Sequence, residues 1–288
     1  MSDGAVTLRA GTVSDAATCG RICFQAFARI AEQHGFPPDF PSAEAASEAL
    51  ARLLGHPRFY SVVAERGGRI IGSNFLDARS TIAGVGPITV EPKAQDAGTG
   101  RRLMQAALDY ARAERFPGVR LLQTAYHNRS LSLYTTLGFN VREAVVVLQG
   151  PPIGGSVPGY SVRAATDGDV EACNRVCVAV HGHDRGGELC DAIRLGAAAV
   201  VEHAGRITGY TTGVALFGHS VGEGNEDLRA LIMAAPEFGG PGLLLPARNG
   251  ELYRFCLARG LRVVQVMTLM ALGLYNEPAG AYLPSIRY

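Results

Sequence analysis

The sequence predicts an α/β protein in which one plan of strands and helices is used twice. Two observations carry that reading: an internal repeat, and an alternation of strand-like and helix-like patterns within each copy. A shift of 154 residues lays Arg9, Ala10, Thr12, Asp15, Cys19, Arg21 and Cys23 on Arg163, Ala164, Thr166, Asp169, Cys173, Arg175 and Cys177. A shift of 137 lays Glu65, Gly68, Arg69, Ile70 and Gly72 on Glu202, Gly205, Arg206, Ile207 and Gly209. A third, of 122, lays Leu133, Gly138 and Val141 on Phe255, Gly260 and Val263. Chance accounts for any one of these, but three in the same order indicate a tandem duplication whose second copy is shorter between first helix and hairpin. The glycine- and proline-rich stretch 150–160 reads as an exposed linker between units 1–149 and 161–288.

Within the first copy the elements follow in order. A short strand over 6–9 precedes one or two helices over 15–54, where Asp15 and Thr12 supply a polar start to an apolar helical period. The segment 60–78 reads as a β-hairpin, with glycine where its turn needs positive φ. A strand over 85–90 runs into a glycine loop and a long helix over 98–115. A strand over 119–124, a short helix over 129–136 and a last strand over 140–148 complete the copy. The tail 275–288, with Pro278, Gly280, Pro284 and several tyrosines, is not expected to form regular structure.

Composition excludes several classes. The 288 residues are 47% apolar and 18% charged with a formal charge of +1, ordinary for a globular protein and without a general nucleic-acid or membrane surface. No apolar run reaches the length of a membrane span, and the first ten residues do not resemble a signal peptide. Cys19, Cys23, Cys173, Cys177, Cys190 and Cys256 form no Cys-x-x-Cys pair, and no matching histidine cluster suggests a metal. Free thiols in a cytoplasmic protein, with no metal, are the expectation.

The stretch Val90-Glu91-Pro92-Lys93-Ala94-Gln95-Asp96-Ala97-Gly98-Thr99-Gly100-Arg101 is the most informative. A glycine-rich turn at a helix N-terminus lets backbone N–H groups approach a phosphate, and the helix dipole favours the anion. Arg101 and Arg102 oppose that dipole, a cost that a bound polyanion offsets. A dinucleotide-binding fingerprint requires a third glycine where Leu103 stands, and a nucleoside-triphosphate loop requires Gly-Lys-Ser/Thr, which is absent. The stretch instead fits Val-x-Pro-x-x-Gln/Arg-x-x-Gly-x-Gly/Ala. Downstream, His127-Asn128-Arg129-Ser130-Leu131-Ser132-Leu133-Tyr134-Thr135-Thr136-Leu137-Gly138-Phe139 carries Leu-Tyr-x-x-Leu-Gly-Phe.

Together these two motifs resemble the GNAT family of acetyltransferases, over about residues 5 to 148. The resemblance implies two tandem GNAT-like domains, each a mixed, mostly antiparallel sheet flanked by helices. It also implies acetyl-CoA as co-substrate. Its pyrophosphate would lie on Gln95, Asp96, Ala97, Gly98, Thr99, Gly100 and Arg101, and its pantetheine arm along Ile88, Thr89 and Val90. Asn128 and Ser130 would flank the coenzyme, although Asn128 is one residue nearer the tyrosine than is usual, so His127 can take that slot.

The implied reaction is direct attack of a neutral amine on the thioester, with Tyr134 as general acid toward the departing thiolate. Family members often keep a carboxylate six residues before the equivalent of Val90, and Gly84 stands there. His127 has a suitable titration range for a base. Asp77 and Glu91 read as surface carboxylates, and His34, His181 and His183 as surface or loop histidines, so the base is left open. A base from the carboxylate of Tyr288 is a further idea, taken from two-domain relatives whose C-terminal segment enters the cleft.

In the second copy, 95–100 falls on Glu223-Gly224-Asn225-Glu226-Asp227-Leu228. The loop turns acidic, and each carboxylate would repel a pyrophosphate by about a kcal/mol even through water. Tyr134 falls on Cys256. The second copy therefore reads as degenerate, kept for packing or for shaping the acceptor site. The expected function is N-acetylation of a small-molecule or peptide amine by the first copy, as a monomer (an internal pseudo-dimer) or a homodimer. A non-catalytic acyl-CoA sensor is the alternative, and the acceptor is not legible.

Overall fold

The computed structural model describes residues 5–36, 38–95 and 97–288. The first half runs β1 (Thr7–Ala10), α1 (Ala16–Gln33), α2 (Ala43–Gly55), β2 (Phe59–Arg66), β3 (Arg69–Asp77), β4 (Ala83–Val85), β5 (Thr89–Val90), α3 (Thr99–Ala113), β6 (Gly118–Thr124), α4 (Asn128–Thr136) and β7 (Asn140–Gln149). The second repeats the order: β8 (Tyr160–Ala164), α5 (Val170–His181), α6 (Gly186–Arg194), β9 (Ala199–His203), β10 (Arg206–Thr211), β11 (Ser220–Gly222), α7 (Asn225–Ala234), β12 (Leu243–Pro246), α8 (Gly250–Ala258) and β13 (Arg262–Gly273). A further strand, β14 (Ala281–Leu283), follows. Between β7 and β8, residues 150–159 carry no regular element.

Residues matched by the repeat do matched work. Arg9 pairs with Asp15 at 2.8 Å and with Glu65 at 2.8 Å, while Arg163 pairs with Asp169 at 2.7 Å and with Glu202 at 2.8 Å. Thr12 and Thr166 each donate their N–H to the aspartate three residues on, at 2.8 Å, closing a capping box before α1 and α5. Gly138 and Gly260 end α4 and α8 with φ of 97° and 91°, where a side chain would be strained. Apolar faces follow the helical period: Leu103, Met104, Ala107, Leu108 and Ala111 of α3 are buried against the sheet.

The sheets do not divide at the linker. A nine-stranded sheet has the order β1-β2-β3-β4-β6-β13-β7-β12, with β5 paired to β3, and a five-stranded sheet has the order β14-β11-β10-β9-β8. The long β13 of the second half enters between β6 and β7 of the first, antiparallel to both, and β7 pairs onward with β12. Each half thus contributes its last repeated strand to the other. Val145 and Val147 pack in one core cluster while Val146 and Leu148 pack in another, so β7 is buried on both faces, and its unbroken apolar run follows from that.

The tail departs from expectation. It forms β14, paired to β11, and Tyr282, Leu283, Ser285 and Tyr288 are buried. Tyr288 stacks on His219 with ring planes 7° apart, meets His181 Nδ1 through its hydroxyl at 2.8 Å, and lies under the guanidiniums of Arg120 and Arg185. His181 and His183 are accordingly core rather than surface histidines, and Arg120 of β6 contacts His183 at 3.2 Å. Asp77 is also buried, held by Arg79 at 2.6 Å and by Arg287 of the tail at 3.6 Å. The contacts that bury these groups, Arg287 for Asp77, Tyr288 for His181 and Arg120 for His183, lie far off in sequence.

Candidate functional site

The cleft arises where two parallel strands part. β4 and β6 pair only at Ala83↔Val119 and Gly84↔Arg120. Beyond that point the predicted strand 85–90 breaks at Gly86, Pro87 and Ile88, and β5 turns to pair with β3 through Gly72↔Val90 and Ser73↔Thr89. Its other edge has no strand partner among the described residues. A cavity of about 630 Å³ fills the split, walled by 85–90 on one side and 121–124 on the other.

Past β5 the chain reaches Gly98, which caps α3 in the left-handed region at φ 77°. The first N–H groups of α3 have no intrahelical acceptor, so a glycine here delivers them to the cavity unobstructed. Thr89 and Thr99 each bury a hydroxyl without a hydrogen-bond partner. Gln95 donates to the Val90 carbonyl at 3.1 Å and accepts from Arg129 at 3.3 Å, tying the loop across to α4. An extended thioester with a phosphate end fits this donor set: free strand edge, unpaired hydroxyls, then helix N-terminus.

Tyr134 of α4 is 7% exposed and lines the same cavity. Burial pushes its phenol up to about 12, partly offset by a hydrogen bond from Ser130. His127 Nδ1 in turn contacts the Ser130 hydroxyl. Burial, with Arg129 and His34 nearby, lowers the His127 imidazole, so it stands neutral at pH 7. His127 and Ser130 thus lie on the Tyr134 side of the cavity.

Of the residues expected at the site, Ile88, Thr89, Val90, Gln95, Gly98, Thr99, Gly100, Arg101, His127, Asn128, Ser130 and Tyr134 all line the cavity. Ala97 does not, and Asp96 lies outside the described residues. Several lining groups were not anticipated. Leu216 and Phe217 come from the second half, Ile286 and Arg287 from the tail, and Asp39 from the connection between α1 and α2. An acid set in the run Phe36-Pro37-Pro38-Asp39-Phe40-Pro41 was the available signal for Asp39. Nothing local marks the others. At Gly84, an added Cβ would stand 1.9 Å from the Arg287 carbonyl oxygen, so the tail fills the space of the absent carboxylate.

In the second half, α7 begins at Asn225 after Gly224. Its N-terminus already holds an anion: Asp227, 3% exposed, accepts the Gly224 N–H at 2.9 Å and the Thr208 hydroxyl. Cys256 is buried in an apolar cluster. Cys177, His181 and His219 bring ligand-type atoms within 4.8 Å of one another, a grouping that sequence spacing did not disclose. The guanidiniums of Arg120 and Arg185 beside them oppose a dication, and the histidines instead anchor Tyr288.

Residues 25–139 match the model of the acetyltransferase (GNAT) family. A 91-residue stretch is 35% identical to the mycothiol acetyltransferase of Thermomonospora curvata, covering 31% of this chain and 31% of that relative. The chain thus spans about a third of the length of the curated relative it matches. A putative acetyltransferase from Pyrococcus horikoshii is similar over 96% of this chain and 94% of its own, with TM-score 0.72 and 17% identity. A GCN5-related N-acetyltransferase from Sphaerobacter thermophilus is similar over 94% and 96%, with TM-score 0.60 and 19% identity. A tandem GNAT protein from the clavulanic acid biosynthesis pathway is similar over 93% and 98%, with TM-score 0.55 and 16% identity. At these identities the likeness is one of fold.

Proposed function

We propose, from the match of residues 25–139 to the GNAT family model, that the first half of the chain moves an acetyl group from acetyl-CoA to an amine by direct attack. The observation that carries this is a single cavity lined by the free edge of β5, the N-terminus of α3 behind Gly98, and Tyr134. Bound acetyl-CoA supplies the activated acyl group. Backbone groups at Ile88, Thr89 and Val90 hold the pantetheine arm, and N–H groups from Gly98 to Arg101 hold the pyrophosphate. Tyr134 donates its proton to the leaving thiolate, with the Ser130 hydroxyl and the neutral His127 imidazole beside it.

The second half acts as support. Its helix N-terminus is filled by Asp227, and it lends Leu216, Phe217 and the tail to the acceptor wall. Units 1–149 and 161–288 together build one cleft, so one chain suffices and a monomer is the expected working form. No helix among the described residues is long and apolar enough to cross a membrane.

Tyr134→Phe tests the assignment. It should lower kcat by about 100-fold or more while calorimetry shows nearly unchanged CoA binding. Undiminished turnover removes Tyr134 as the acid. A non-catalytic sensor is the second reading, favoured by Gly84, where the tail stands in place of a base. Tight CoA binding without acetylation of any amine would favour it.

A further inference from the structure

Part of the cavity lining forms an apolar lobe: Phe27 and Ile30 of α1, Phe40 beyond it, Leu216 and Phe217 of the second half, and Ile286 of the tail. Phe40 and Phe217 face one another across the two halves at 6.5 Å, and Ile286 is fixed by an N–H bond to the Leu216 carbonyl at 2.8 Å. Into this apolar surround the chain places Asp39. Among the described residues that line the cavity it is the single carboxylate, and it has no ion-pair or hydrogen-bond partner there.

An unpartnered carboxylate half-withdrawn from water among phenyl rings is costly unless a cation meets it or it takes up a proton. Either event is a step in acylating an amine, which arrives as an ammonium ion. We propose that Asp39 binds the acceptor ammonium in the apolar lobe and takes its proton, so that the acceptor is a monoamine on an apolar body. This rests on the acetyltransferase reading. The proton passes from the ammonium to the Asp39 carboxylate. The freed amine then forms the C–N bond as the C–S bond breaks, and Tyr134 protonates the sulfur. The second nitrogen proton restores Tyr134, and Asp39 returns its own proton to solvent.

The charges around the lobe narrow the class further. Arg29 and Arg287 also line the cavity, so a second ammonium on the acceptor would be repelled, and polyamines are poor candidates. The titratable groups that feel the Asp39 charge are Cys23 of α1 and Tyr126 after β6; each is raised first by burial and then by Asp39. His34 packs on Tyr126 at 4.7 Å, and His127, Tyr134, Arg101 and Arg129 complete the charged and titratable lining among the described residues. Burial raises Asp39 itself to about 6, which suits a base that must give up its proton between turnovers near neutrality.

The experiment uses the full chain and two probes, 2-phenylethylamine and spermidine. Thiol release from acetyl-CoA should favour 2-phenylethylamine over spermidine, and the wild type should lose kcat/KM as the pH falls through about 6. Asp39→Asn, a near-isosteric change, should lower kcat/KM for 2-phenylethylamine by about 100-fold or more, abolish that acidic limb and leave CoA binding unchanged. Calorimetry with 2-phenylethylamine alone should show binding weakened about tenfold or more in the variant. Retained kcat/KM and limb in Asp39→Asn, preference for spermidine, or no binding of 2-phenylethylamine to the wild type overturns the proposal. Failure of the wild type to bind CoA overturns the acetyltransferase reading instead.

Discussion

At the scale of single residues, the missing side chain of Gly84 matters as much as any that is present. The last residues of the chain lie against β4, where a Cβ on Gly84 would meet the Arg287 carbonyl oxygen at 1.9 Å and its carbon at 2.9 Å. A backbone atom cannot swing aside as a side-chain tip can, so the tail itself must move. Gly84→Ala is therefore expected to lower the melting temperature by a few degrees, the scale of overpacking costs of about 1–3 kcal/mol. It should also speed proteolysis of the tail, because the tail is levered from its anchor on His181 and His219. Equal melting and equal digestion would place the tail elsewhere. The sequence showed that a carboxylate was absent at this position, but not that Arg287, about two hundred residues away, takes its place.

At the scale of elements, the devices that start α1 and α5 are local, and local devices were legible. Arg9, Thr12 and Asp15 lie within seven residues, and the match to Arg163, Thr166 and Asp169 was visible before any contact was known. The hydrogen bond from Arg9 is the main reason that Asp15 is held down to about 2; burial opposes it, and the Thr12 backbone and hydroxyl add to it. A carboxyl lowered on folding contributes stability that is full above its ordinary value near 4 and fades as pH falls toward about 2. Asp15→Asn should cost about 1 kcal/mol at pH 6, and the gap in urea midpoint should narrow as the pH is brought to 3. Asp169→Asn should behave alike, since Arg163 depresses Asp169 in the same way. A gap that stays constant with pH would assign the loss to the cap alone. The break between β4 and β5 was harder to see: Gly86-Pro87 marks a break within 85–90, but only the partners on β3 and β6 reveal that the segment serves two directions.

At the scale of the whole molecule, the duplication is more than two copies joined by a linker. β13 lies between β6 and β7, and β7 in turn meets β12, so the longest pairing of the sheet, β13 with β7, crosses from one half to the other. Nothing in the period of β7 or β13 names its partner, because an apolar run such as 145–148 reports burial on both faces and no more. The repeat was therefore readable and its consequence was not. The exchange also explains why a half without a phosphate-ready loop persists: removing it strips β6 and β7 of the strand between them and takes Leu216, Phe217 and Ile286 from the acceptor lobe. Fragment 1–160 made alone should be insoluble or melt without cooperativity, exposing the unpaired edges of β6 and β7. Made together with fragment 161–288, it should co-purify in a one-to-one complex that binds CoA as the intact chain does. A soluble, cooperatively melting 1–160 that binds CoA unaided would show that the exchange is dispensable.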